Sequence, residues 1–391
     1  MLKKYLAKNN NSLLILLVSF IISSYMMNYW FMLPGLGLLM LNKQVKINSA
    51  GKIDNDFMLL SFAFITYSTF AFINNNINLT TIVTLSLPAV LFFAVGFNLA
   101  SKNKNANYWY LTLLLAAFFT SFINIYNSLL DTAQNGFIVP ERMFGDNKED
   151  FELTTSLICS ELIPTIACIG LFFDKPNFID NKRLRKFAIV LGLLAGLCAI
   201  HYVSRAGILI MVLSVIIGLL YRFKFNSRTI FFIVVTLVAY LYFLQSDAYS
   251  VFELKNETGG DLATGNGRDE RMQYWFDRIK DSPFGVENWA NQYSLHGWAH
   301  NFWLDFTKEC GWIPGLALVF FSLRNLYFVA CIAFRRKINK SVSHLVLLLG
   351  IAYFLTLFTE PTMQGTPLLM FSYLFFCGIT KSIYKNGEKV L

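Results

Sequence analysis

Four residues of this chain carry side chains whose chemistry would be useful in a shared aqueous space: Arg205, Arg268, His300 and Glu360. Imidazole is the commonest general base near neutral pH. His300 stands in the run Gly297-Trp298-Ala299-His300-Asn301-Phe302-Trp303-Leu304, at the end of a long polar stretch. The spacing there predicts an amphipathic helix over 298–309, with Trp298, Phe302, Phe306 and Cys310 on one side. A lone histidine in such a place is either structural or a base, and its polar, cation-bearing context favours the base.

Arg268 follows Gly265-Asn266-Gly267. A glycine-rich turn that opens a helix exposes N–H groups suited to phosphate oxygens, and an arginine there adds a bidentate donor. Residues 269–280 put Met272, Trp275, Phe276 and Ile279 on one helical face. A helix lying in a membrane interface explains that face equally well, and the two readings are compatible. Arg205 sits in Ser204-Arg205-Ala206-Gly207, a turn with almost no loop around it between two apolar runs. An arginine at membrane depth either snorkels or faces a cavity or an anionic partner, and so short a turn favours the latter. Glu360 precedes Pro361 at the end of another apolar run. His296 lies four residues before His300, but Gly297 interrupts a shared helix and no third acid stands at matched spacing. Neither a metal nor another cofactor is expected.

The elements that hold these residues are hydrophobic. Apolar residues make up 55% of the chain and charged ones 15%, against about 25% in soluble proteins. Runs of roughly 17–25 apolar residues recur, each long enough to cross a hydrocarbon core. Continuous rather than alternating apolarity selects helices over a barrel. The expectation is therefore an all-α, polytopic membrane protein, a single integral domain over 1–391. About twelve spans are expected, near 12–27, 29–42, 56–73, 78–100, 107–128, 154–174, 186–202, 206–222, 229–245, 312–333, 343–359 and 367–381. The lysine-bearing N-terminus precedes an apolar run without a small-residue cleavage site, which predicts an uncleaved first helix.

The net charge of +9 would suggest nucleic acid in a soluble chain, but here it reads as topology. Clusters such as Lys182, Arg183, Arg185 and Lys186, or Arg335, Arg336, Lys337 and Lys340, fall on alternate loops. That alternation puts both termini in the cytoplasm and two longer loops on the other side. One is acidic, 129–153; the other, 246–311, carries Arg268 and His300. The six cysteines lie in or beside apolar runs and read as small buried hydrophobes. Glu161 and Arg324 fall within spans, where charges are functional or paired; Arg324, read as buried mid-span, would fix packing.

Taken in order, Ser204-Arg205-x-Gly207, Gly267-Arg268 with Trp275 and Pro283-x-Gly285, and His300-Asn301-x-x-Leu304 with Gly311 to Gly315 resemble the O-antigen ligase and O-antigen polymerase family. The motifs cover about 200–315; the first half of the chain is similar only in helix number and loop placement. The resemblance implies a bacterial inner-membrane glycosyltransferase with a GT-C-like fold, metal-independent and inverting, its site facing the periplasm. It implies that Arg205 and Arg268 hold the diphosphate of an undecaprenyl-linked donor, that His300 activates the acceptor hydroxyl, and that Glu360 is the accompanying acid, in a looser local motif than the family's. Ser204, Gly267, Arg271, Trp298 and Asn301 are the expected substrate contacts. The acceptor is a lipid-linked repeat unit in a polymerase, or lipid A-core or a protein in a ligase. Membrane lipids and a chain-length regulator are the further implied partners. A flippase of lipid-linked glycan is the non-enzymatic alternative, although neither inverted repeats nor midplane helix breaks are evident.

Overall fold

The structure is a computed structural model that describes residues 18–19, 54–102, 105–135, 160–174, 182–202, 204–223, 230–231, 234–235, 238, 268–289, 298–334, 338–360, 362–363 and 366–389. All regular elements among them are helices: α1 (Asn55–Ile73), α2 (Leu79–Ser101), α3 (Ala106–Phe118), α4 (Ser121–Asn135), α5 (Ser160–Phe173), α6 (Lys182–His201), α7 (Arg205–Phe223), α8 (Arg268–Lys280), α9 (Phe302–Cys310), α10 (Trp312–Phe334), α11 (Lys340–Thr359) and α12 (Pro367–Lys389). Short polar side chains set several starts. Asp54 accepts from the amides of Asp56 and Phe57 at 3.0 and 3.4 Å, Asn78 from that of Thr81 at 2.9 Å, and Asn339 from that of Ser341 at 3.0 Å.

Among the described residues, six helices are long and apolar enough to cross a membrane: α1, α2, α6, α10, α11 and α12. The pair α3/α4 makes up to seven if read as one span bent by 45°. α5 and the apolar part of α7 are shorter. The span expected at 29–42, all but Val18 and Ser19 of that at 12–27, and most of that at 229–245 lie outside the described residues, as do the acidic loop's 136–153 and the large loop's 246–267.

The expected straight span over 107–128 is instead broken between α3 and α4. Hydroxyl groups explain the break. Thr165 Oγ1 donates to the Ala117 carbonyl at 2.7 Å, and Thr120 Oγ1 to the Glu161 carbonyl at 2.9 Å. A side chain inserted into the helical ladder bends it.

α12 is the central strut, with 94% of its apolar window buried. It lies against α2 backbone to backbone: a Cβ on Gly378 would come within 2.1 Å of the Phe93 carbonyl oxygen, and one on Gly96 within 2.2 Å of that of Phe375. Small residues at such contacts let helices approach closely where lipid offers no hydrophobic drive.

Cross-chain contacts sort the helix ends into two groups. One end joins Asp54, Asp56, Lys381 and Lys385 at the start of α1 and the last turns of α12. With it, by helix direction, go Asp174, Arg185, Tyr221 and His344, bound to one another through His344 Nδ1 to Asp174 Oδ1 at 2.5 Å, Arg185 to the Asp174 carbonyl at 2.6 Å, and a Tyr221 ring stacked on His344. The opposite end joins the 74–78 turn, the 281–289 segment, α9 and the end of α11. Among the described residues, Arg185, Lys381 and Lys385 thus gather at one end, and the His300 turn and Glu360 at the other.

Candidate functional site

His300 precedes α9 rather than lying within a helix over 298–309, which corrects the expectation from periodicity. Asn301 is the N-cap, its Oδ1 accepting from the Leu304 amide at 3.1 Å. The turn before it is tied by Asp305, whose carboxylate accepts from the Ala299 amide at 2.9 Å and the Asn301 amide at 3.3 Å. Between these two amides, His300 has a φ of 54°, in the left-handed region that histidine enters more readily than most residues. The ring is thereby directed toward α8. Its Nε2 lies 3.3 Å from an Arg271 guanidinium nitrogen. A guanidinium has no lone pair to offer, so in this contact Nε2 is the accepting nitrogen.

α8 is docked rather than afloat on the surface. Trp275 and Ile279 are fully buried, while Phe276, expected on the same apolar face, is 44% exposed and meets Trp312 edge-on. Lys308 of α9 is fully buried beneath this helix. Its ammonium donates to Asp305 at 3.0 Å and lies 3.4 and 4.7 Å from the ring centroids of Trp289 and Trp275. A desolvated ammonium over indole faces is attracted by about 2 kcal/mol, beyond what its carboxylate partner supplies. Trp298 is half-buried and packs against the cluster of Trp275, Val286, Trp289 and Ala299. Trp289 is thus part of the small core of this module, and Trp298 lies at its edge.

Glu309 anchors that module to the bundle. Its carboxylate accepts from Trp289 Nε1 at 3.2 Å and from the hydroxyl of Tyr67 on α1. Burial pushes its carboxyl up to about 7, against the opposing pull of Lys308 and the Tyr67 and Trp289 hydrogen bonds. Asn74 donates to the Phe284 carbonyl at 2.7 Å, and Asn76 to that of Val286 at 2.8 Å. Gly311, with a φ of 85°, approaches so closely that a Cβ would fall 2.1 Å from the Pro283 carbonyl oxygen. The Pro283-x-Gly285 and Gly311 motifs are therefore the seam between the loop and α9.

The other expected site residues distribute as follows. Asn301 Nδ2 reaches the Phe358 carbonyl at 3.4 Å, which brings the end of α11, and with it buried Glu360, beside the His300 turn. Ser204 is buried in the α6–α7 turn, its Oγ accepting from the Gly207 amide at 3.2 Å. α6 and α11 each leave the end where Arg185, Asp174 and His344 meet, so the Ser204 turn and Glu360 reach the same opposite end. Arg205 and Arg268 supply the first residues of α7 and α8; their guanidinium groups, like Gly267 and His296, lie outside the described residues. Arg324 lies mid-helix in α10 and is paired, with Asp56 at 2.5 Å, but its side chain is 39% exposed rather than buried, which corrects that part of the expectation.

Comparison of the chain with protein-family models and with curated protein sequences found no match.

Reasoning from the sequence passed over Asp305, Lys308, Glu309 and Tyr67. A signal was available for the first, since Asn301 followed by an acid one turn later marks a helix start. The others had none, because a charged residue in an aromatic run reads as a solvated face until its partners are known. Chemically, the assembled end offers an imidazole lone pair, a guanidinium donor beside it on a helix whose first residue is a second arginine, and a buried carboxyl nearby. That set suits withdrawal of a proton from a hydroxyl next to an anion.

Proposed function

We propose that this chain is an inverting glycosyltransferase of the bacterial inner membrane, with about twelve spans and a GT-C-like arrangement. It moves a glycan from an undecaprenyl-diphosphate carrier to a lipid-linked repeat unit, as a polysaccharide polymerase. The observation that carries this reading is the His300 Nε2 facing Arg271 of the arginine-bearing α8, in a turn held against the end of α11 that leads into Glu360. The ordered motifs of the O-antigen ligase and polymerase family lend it a substrate class. In the reaction, the acceptor hydroxyl takes the place of the Arg271 N–H at His300 Nε2 and gives up its proton there. Its oxygen attacks the anomeric carbon from the face opposite the carrier, the bond from that carbon to the diphosphate oxygen breaks, and undecaprenyl diphosphate leaves with the electron pair. Arg205 and Arg268 neutralise the charge that develops on the diphosphate, as preorganised donors do best in a water-poor site.

A ligase that transfers the same glycan to lipid A-core or to a protein uses the same chemistry and is the second reading. We favour the polymerase because only about thirty residues separate Arg268 from His300, a compact frame for a small glycan acceptor. The test is incubation of purified protein with defined lipid-diphosphate oligosaccharides, with and without EDTA. EDTA-insensitive formation of lipid-linked oligomers supports the polymerase; transfer only when lipid A-core is added identifies the ligase. Movement of intact lipid-linked glycan between leaflets without bond formation would replace both with a flippase.

A further inference from the structure

We propose that Asp305 is the positioning residue of this site, holding His300 in its strained backbone conformation and coupling it to the docking of α8; this rests on the base role given to His300 above. Three observations meet in one carboxylate. Its two oxygens accept from the amides on either side of His300, those of Ala299 and Asn301. His300 is left with a φ of 54°, one of three non-glycine residues with positive φ among those described. Asp305 itself is fully buried, and its charge is met by Lys308, also fully buried.

The geometry accounts for why a buried ion pair stands here rather than two hydrophobes. The two inward-pointing amides reach different oxygens, Ala299 N–H to Oδ1 and Asn301 N–H to Oδ2. An amide side chain in the same place would meet one of them with its own NH2 donors, so a carboxylate satisfies both where an amide satisfies one. A buried carboxylate in turn needs a cation, and Lys308 stands one turn along the same helix. The ammonium lies over Trp275 of α8 and Trp289 of the following segment, so removal of α8 would strip that cation of its aromatic cover. The chain of contacts from Trp275 through Lys308 and Asp305 to the Ala299 and Asn301 amides that flank His300 is continuous, and it runs parallel to the direct contact from Arg271 to the ring. Docking of the arginine-bearing helix and orientation of the base are thus one structural event. Asp305 touches neither ring nitrogen of His300 in any described contact and acts through the backbone.

The test compares full-length protein with Asp305→Asn in detergent, with two readouts. The first is the rate of carbethoxylation of His300 by diethyl pyrocarbonate across pH 5–8, followed by peptide mass spectrometry. The second is the kcat and KM split for glycan transfer. Release of the turn is expected to change His300 reactivity by about fivefold or more and to lower kcat by about 10²-fold, the scale on which a misplacement of about 1 Å acts, with KM for the lipid-linked donor within twofold. If Asp305→Asn does not fold, Asp305→Glu serves instead, because its extra methylene keeps the charge for Lys308 but alters the reach to the two amides. A folded variant with wild-type His300 reactivity overturns the proposal, as does an equal rise in KM with kcat unchanged. Altered His300 reactivity in a protein whose wild type transfers no glycan would uphold Asp305 as the holder of the turn while removing the reaction proposed above.

Discussion

A guanidinium in direct contact with an imidazole can only donate to it, and that pairing concentrates the candidate chemistry of this chain. With Arg271 donating to Nε2, His300 is ready to receive a proton and unable to give one there. His300→Ala should therefore abolish oligomer formation while leaving binding of the lipid-linked donor within twofold, measured by transfer assay and by donor binding in parallel. Arg205 tests the complementary half of the site. Arg205→Lys keeps the charge but removes the planar fork that matches a phosphate, and transfer should drop by about 10²-fold. Both residues stand out in the sequence because their motifs are local. Asp305 was not, because its role depends on amides that turn inward only once the chain has folded at Ala299 to Asn301.

At the scale of elements, the ties between the module of α8 and α9 and α1 include one buried carboxyl whose protonation changes near neutrality. Glu309 titrates at about 7 in the folded protein against an ordinary value of 4.5, so the folded state holds a proton that the unfolded state has released in between. The stability of this attachment therefore falls as pH rises from about 4.5 through 7, by up to roughly 3 kcal/mol from linkage. Limited proteolysis of the loop around 281–298 across that pH range should show increasing cleavage in the wild type. Glu309→Gln, which cannot ionise, should flatten the pH dependence. Gly311 tests the seam itself. At a φ of 85° with no room for a Cβ, Gly311→Ala should cost about 1–3 kcal/mol and detach the module before the bundle melts. The position of Gly311 could be read in the sequence; that it faces Pro283 could not.

The whole molecule is organised by a second set of charges at the far end. Asp54, Asp56, Arg324, Lys381 and Lys385 join the start of α1, the middle of α10 and the last turns of α12, with Asp56 and Lys381 nearly inaccessible. Removing one member of such a buried cluster leaves its partner uncompensated, which costs about 3–5 kcal/mol. Lys381→Met should lower the thermal unfolding midpoint in detergent by several degrees, whereas Lys385→Met, half-exposed, should change it little. The alternation of basic loops already implied that these helix ends lie on one side, and their contacts agree with it.

Composition and continuous apolar runs, acting locally, were enough to specify an all-helical membrane chain, where most helices lie and which end bears the polar residues. These follow from the length of the hydrocarbon core and the cost of unpaired backbone groups within it. Tertiary structure decided what no local pattern contains: the bend between α3 and α4, the start of α9 after His300 rather than before it, and the partners of Arg324, Lys308 and Glu309. Tyr67 and Glu309 stand 242 residues apart, and Arg324 and Asp56 stand 268 apart. A buried charge is tolerable only where a partner meets it, and folding alone brings such distant partners within reach.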